Sequence, residues 1–205
     1  MSARDRILGR VRAAVDQRPR TDHPGPFPGG RPGPSASSPI EGFAALFTAA
    51  GGEVHHCSDF GAARDWLSAF AADFASVSVG RGIDHETVAA AGAAATPTAP
   101  DEASLGVSRG LGCVAETGSL ILDARDGRRT QLLPPTHVVL VEAADAFSSL
   151  RDALDSLRSR LPSAIGLHSG PSKSADIGQI LVRGVHGPGR VIALVVGDHP
   201  TTEPS

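Results

Sequence analysis

Apolar residues first recur at helical spacing near the start of the chain. Ile7, Leu8, Val11, Ala14 and Val15 form one stripe behind the possible cap Ser2, which predicts an amphipathic helix over residues 3–18 with its arginines on the outer face. From Pro19 to Pro39 the pattern stops. Seven prolines and four glycines with almost no apolar residues predict an extended linker there. From Ile40 onward short apolar runs alternate with helical stripes. A helix through Phe43, Leu46 and Phe47 is predicted to end at Gly51-Gly52, followed by a strand at Glu53–Cys57 and a helix carrying Trp66, Leu67 and Phe70. Ala75–Val79 reads as the next strand, and Asp84 caps an Ala-rich helix from His85 to about Ala95.

The second half continues the alternation. A strand or turn is expected at Gly112–Val114, a strand at Ser119–Asp123, a turn at Asp126-Gly127 and a continuous apolar strand at His137–Val141, and both strands are expected to be central. Asp145 is the expected cap of a long helix with Phe147, Leu150, Leu154, Leu157 and Leu161 on one stripe. A strand near Ala164–Leu167, a short helix through Ile177, Ile180 and Leu181, and a buried strand at Arg190–Val196 complete the pattern. Alternation of this kind predicts an α/β fold, an open and mainly parallel sheet covered on both faces. The predicted organisation is a helix at 1–18, a linker at 19–39, one α/β domain at 40–197 and a tail at 198–205.

Composition narrows the functions open to such a domain. The formal net charge of -3, with arginines scattered along the chain, gives no general attraction for nucleic acid. Two cysteines, Cys57 and Cys113, supply neither a disulfide framework nor a Cys-x-x-Cys pair for a metal or cluster. No apolar run is long enough for a signal peptide or a membrane span, so a cytoplasmic protein is expected. His55-His56 lie side by side on a predicted strand and therefore point to opposite faces, the wrong geometry for shared metal ligation.

Three loops hold polar residues where strands meet helices. In Ala115-Glu116-Thr117-Gly118, a partly desolvated Glu116 would serve as a general base or as a nucleophile toward an acyl group. The alternative is a turn carboxylate accepting backbone N–H bonds from Thr117 or Gly118. In Ser169 to Asp176, Gly170, Ser172, Lys173, Ser174 and Asp176 precede a predicted helix, and amides, hydroxyls and an ammonium there would hold a small carboxylate or phosphate. The spacing is not that of a P-loop, and a plain helix cap at Ser174 is the competing reading. In Gly184-Val185-His186-Gly187-Pro188-Gly189, His186 would donate a proton or fix a carboxylate, or simply hydrogen-bond within a tight turn. Glu116, Lys173 and His186 are expected to converge at one edge of the sheet.

Taken in order, Ala115-Glu116-Thr117-Gly118, Leu132-Leu133-Pro134-Pro135-Thr136-His137, Ser169 to Asp176 and Gly184-Val185-His186-Gly187-Pro188 resemble the lactate utilisation protein C (LutC/YkgG) family of LUD-domain proteins. The resemblance covers about Ile40 to Val196. It departs at Lys173 and Ser174, where the family commonly shows Arg and Thr, and at Gly178, where it shows an acidic residue. The resemblance implies a Rossmann-like sheet like that of ribose-phosphate isomerase and the CoA transferases. It also implies a role in oxidising L-lactate to pyruvate beside two partner proteins, one bearing iron–sulfur clusters. With two cysteines and no Gly-x-Gly-x-x-Gly fingerprint, this chain is expected to bind no redox cofactor, so electrons would travel through partner subunits. An accessory subunit is the first reading. The second is a stand-alone CoA transferase-like enzyme in which Glu116 attacks an acyl group, and it would need a glycine-rich oxyanion loop, for which Gly80 to Gly82 is the candidate.

Overall fold

The computed structural model describes residues 2–17, 38–174 and 182–197. The chain divides into two compact units, residues 1–31 and 32–205. In the first, α1 (Ala3–Asp16) starts at a capping box in which the Ser2 hydroxyl accepts the Asp5 amide and the Asp5 carboxylate accepts the Ser2 amide. Most of the expected 19–39 linker lies outside the described residues. Pro39 does not: it opens the first helix of the second unit, with Ser38 as its cap, because a proline at the first helical turn loses no hydrogen bond.

In the second unit α2 (Pro39–Ala49), β1 (Glu53–Cys57), α3 (Phe60–Ala71), β2 (Ser76–Val79), α4 (His85–Ala94) and β3 (Thr96–Pro97) follow in turn. Next come β4 (Leu105–Val114), β5 (Ser119–Asp123), α5 (Ala124–Leu132), β6 (Thr136–Glu142), a 3-10 turn at Ala143–Asp145, β7 (Ala146–Phe147) and α6 (Leu150–Leu157). The described elements end with β8 (Ile165–His168), β9 (Lys173–Ser174), β10 (Val182–Arg183) and β11 (Arg190–Val196). The fold is α/β with an open sheet in the order β1-β11-β6-β4-β2-β3, every pair along that path parallel.

Both faces of this sheet are covered. On one, Val77, Leu105, Val107, Val138, Leu140, Ile192 and Leu194 pack against Ala63, Leu67 and Ala71 of α3 and Ala91 of α4. On the other, Val139, Val141, Val191, Ala193 and Val195 pack against Ile40, Phe43 and Phe47 of α2. Continuous burial of β6 and β11 is the pattern expected of strands covered on both sides.

Four features differ from the sequence reading. The central strand β4 begins at Leu105, seven residues before the expected Gly112, because Gly106, Ser108, Arg109 and Gly110 break its apolar run. Residues 105–109 of β4 pair with β6, whereas beyond a register shift between Gly110 and Gly112 the strand pairs antiparallel with β5. Accordingly β6 is central, but β5 belongs to a small mixed extension with β7 and β8 rather than to the parallel sheet. The Asp126-Gly127 turn lies inside α5, which Gly127 kinks at φ 118°. Finally, the helix expected from Asp145 begins at Leu150, capped by the Ser149 hydroxyl on the Asp152 amide, and Phe147 is a strand residue. The helix expected through Ile177 to Leu181 and the tail from Asp198 lie outside the described residues.

Candidate functional site

The three predicted loops are tied together through their backbones and hydroxyls. Ser119 Oγ lies 2.6 Å from Ser169 Oγ, and the Ser119 hydroxyl also donates to Thr117 Oγ1 at 2.7 Å. The Ser172 amide donates to the Pro188 carbonyl at 2.8 Å, its carbonyl accepts the Gly184 amide at 3.0 Å, and its Oγ accepts the His186 amide at 3.3 Å. Gly170, at φ 108°, lies against Ala50.

The chemical groups themselves face different neighbours. Glu116 turns to the start of α6, where Oε2 accepts the Leu150 amide at 3.2 Å, a partner other than Thr117 or Gly118. Helix N-termini present such unpaired amides, so the carboxylate extends the cap begun by Ser149. Exposed Lys173 donates to the Ala50 carbonyl at the C-terminal end of α2, where cations are favoured. Lys173 and Ser174 pair with Arg183 and Val182 as a two-residue antiparallel ladder. Asp176 lies outside the described residues. His186 is exposed and lines a cleft of about 600 Å³ with Arg183, Leu132, Leu133 and Pro135, near the amino ends of β6 and β11.

A different site lies at the carboxyl edge of the parallel strands. From β2 the chain moves outward to β3, and from β4 it moves the other way to β6, so the loops after these adjacent strands diverge. Ligands of open α/β sheets bind at such switch points. A cleft of about 300 Å³ opens there, lined by Arg81, Gly82, Arg109, Gly110, Leu111, Asp123, Arg125 and Asp126.

Asp126 organises this place. The kink at Gly127 lets α5 hold Asp126 inward, at 5% exposure, against the loop after β2. Its Oδ1 accepts the Gly82 amide at 2.5 Å, and its main-chain carbonyl accepts the Arg81 amide at 2.9 Å. Gly80 has no side chain because a Cβ there would overlap the Asp126 carboxyl group. Burial pushes this carboxyl above its ordinary range, with the Gly82 amide foremost among the hydrogen-bonding neighbours that pull the other way. Among the described residues Oδ2 has no hydrogen-bonding partner.

Beneath α5 the sheet is polar. Ser78 and Thr130 hydroxyls lie 3.0 Å apart, and fully buried His137 meets Ser108 Oγ through Nε2 at 2.9 Å. Burial, with the nearby His168 second, drives the His137 pKa down to about 3. This ring is neutral over the working range of most proteins. Around the cleft Arg109 pairs with Glu142 and Arg125 with Asp123. In the sequence Gly80 to Gly82 and Asp126-Gly127 read separately, as an oxyanion loop and a turn. A glycine pair after a strand and an Asp-Gly after another were the available signals, but the crossing that joins them was not.

The fold and this edge define the class: an α/β protein with a parallel open sheet and a polar crevice at its switch point. Residues 99–196 match the family model of the LUD domain, which bears out the resemblance read from the four motifs. Relatives are about a third identical to this chain over a stretch of just under half its length. Lactate utilization protein C of Bacillus subtilis (strain 168) is 34% identical over 106 residues, 48% of this chain and 44% of the relative. Lactate utilization protein C of Anoxybacillus flavithermus (strain DSM 21510 / WK1) is 36% identical over 103 residues, 49% of this chain and 47% of the relative. The matched stretch is thus under half the length of these curated relatives. A crystal structure of a DUF162 family protein from Deinococcus radiodurans shares the fold, with a TM-score of 0.54 at 21% identity over 78% of this chain and 96% of that one.

Proposed function

We propose that this chain serves lactate utilisation as a cytoplasmic, cluster-free subunit of an L-lactate-oxidising system whose iron–sulfur centres sit on partner proteins. The observation that carries the reading is the LUD-domain match at 99–196 together with relatives named lactate utilization protein C. The thiols fit it. Cys57 and Cys113 are both buried, and burial pushes the Cys113 pKa up to about 12, so neither resembles an exposed thiolate ligand. No helix of the described residues is long and apolar enough to cross a membrane. In this reading the chain binds the small carboxylate and its protein partners, and electrons pass through other subunits.

The stand-alone acyl-transfer reading draws less support, because one Glu116 oxygen is engaged by the first amide of α6. Growth on L-lactate as the carbon source tests both readings. A strain lacking the chain is expected to fail on lactate and grow on pyruvate, and Glu116→Gln, which keeps the acceptor oxygen, is expected to restore growth. Tagged protein from lactate-grown cells should bring down partners with iron–sulfur absorption. Unimpaired growth of the deletion strain would overturn the role, and a Glu116→Gln strain as defective as the deletion would favour the enzyme.

A further inference from the structure

Among the described residues, the switch-point cleft has one unneutralised cation. Arg109 is held by Glu142 and Arg125 by Asp123, but the exposed Arg81 guanidinium has no side-chain partner among the described residues. Asp126 lines the same cleft, and its Oδ2 is a buried oxygen without a hydrogen bond among the described residues. Because burial favours the neutral form of this carboxyl, Asp126 cancels less of the positive field at Arg81 than an exposed aspartate would. A ligand that meets both needs carries an anion beside a second oxygen. The volume of about 300 Å³ is at the small end of ligand sites, which suits a molecule of a few heavy atoms.

We propose that this cleft binds a small 2-hydroxy or 2-oxo monocarboxylate, its carboxylate paired with Arg81 and its 2-oxygen set against Asp126. The choice of that acid class rests on the lactate-utilisation reading above. Arg81 offers a planar fork of donors that matches a carboxylate. The same residue that meets the 2-oxygen also holds the loop carrying Arg81, through the Gly82 and Arg81 amides. Recognition and loop position are therefore joined in Asp126. The loops with Lys173 and His186 lie elsewhere and play no part in this site.

The test is titration of the purified full chain with L-lactate and with pyruvate, followed by calorimetry and by amide shifts, with acetate and inorganic phosphate as comparison ligands. L-lactate or pyruvate is expected to bind saturably, and acetate, lacking the 2-oxygen, about tenfold more weakly. Arg81→Gln, an exposed change that leaves the fold intact by circular dichroism, is expected to weaken lactate about tenfold or more. Asp126→Asn should reduce the preference for lactate over acetate, while Arg128→Gln should change nothing. Failure of both acids to saturate, or wild-type binding by Arg81→Gln, would overturn the site. Equal binding of lactate, acetate and phosphate would reduce it to a general anion cradle and overturn the assigned class. The two readings fail separately: a deletion strain that cannot use lactate, paired with a chain that binds no lactate, removes this site and keeps the role. Normal growth of that strain, paired with lactate binding, removes the role and keeps the site.

Discussion

Gly80 and Asp126 behave as one residue pair across 46 positions of chain. A methyl group at Gly80 would overlap the Asp126 carboxyl, and the neighbouring Gly82 amide fixes that carboxyl in place. Gly80→Ala is therefore expected to lower stability by about 1–3 kcal/mol, as overpacking does, and to weaken lactate by displacing Arg81. A urea melt beside the titration checks both. His137 sets a second expectation, on pH. Its pKa falls from 6.5 to about 3 on folding, so between those values the unfolded chain takes up a proton that the folded chain refuses. Stability from this group is complete above pH 6.5 and is lost as pH falls toward 3, at up to about 1.4 kcal/mol per pH unit. Burial lowers His168 as well, which adds to the same trend. Asp126 acts in the opposite sense, since its raised pKa removes stability as pH rises above the ordinary aspartate value. Urea melts across this range should show the loss on acidification, and His137→Gln should flatten it even if the variant starts less stable.

At the scale of elements, β4 connects the two parts of the sheet, and its glycines make that possible. Gly112 adopts φ 150°, and a Cβ there would run into the Asp145 carbonyl and the Phe147 ring. Gly112→Val should break the pairing of β4 with β7 and cost about 1–3 kcal/mol, measured by thermal unfolding. An unchanged melting temperature would show that the bend tolerates a side chain. The same glycines explain what the sequence hid. Strands β5 and β11 were legible to the residue because their Val, Ile and Leu runs end at clear turn residues, and β1 because Gly51-Gly52 marks its start. By contrast, Gly106, Ser108, Arg109 and Gly110 interrupt β4, because its face under α5 is polar and its end must curl. Helix α5 was obscured for a related reason: Gly127 reads as a turn residue, and it is one, placed inside a helix to turn Asp126 inward. In the site, Gly80, Gly82 and Asp126 were individually visible as turn chemistry. Their meeting depends on strand order, which local pattern does not encode.

At the scale of the molecule, the family match and the folding unit have different limits. The LUD match spans residues 99–196, yet the sheet that contains those residues also needs β1 and β2. Without β1, the parallel ladder from Glu53 to Cys57 along β11 is lost and a buried strand becomes an edge. Without β2, residues 105–107 of β4 lose their outer partner, and α3 and α4 no longer cover the face formed by Leu105, Val107, Val138 and Leu140. Arg81 and the loop that Asp126 grips go with them. A fragment of residues 99–197 is thus expected to expose apolar surface, bind a hydrophobic dye and unfold without a sharp transition, whereas residues 38–197 should melt cooperatively near the temperature of the full chain. Calorimetry of the three chains decides the matter, and a cooperative transition in the short fragment would mean that the matched segment folds without the strands that complete its sheet.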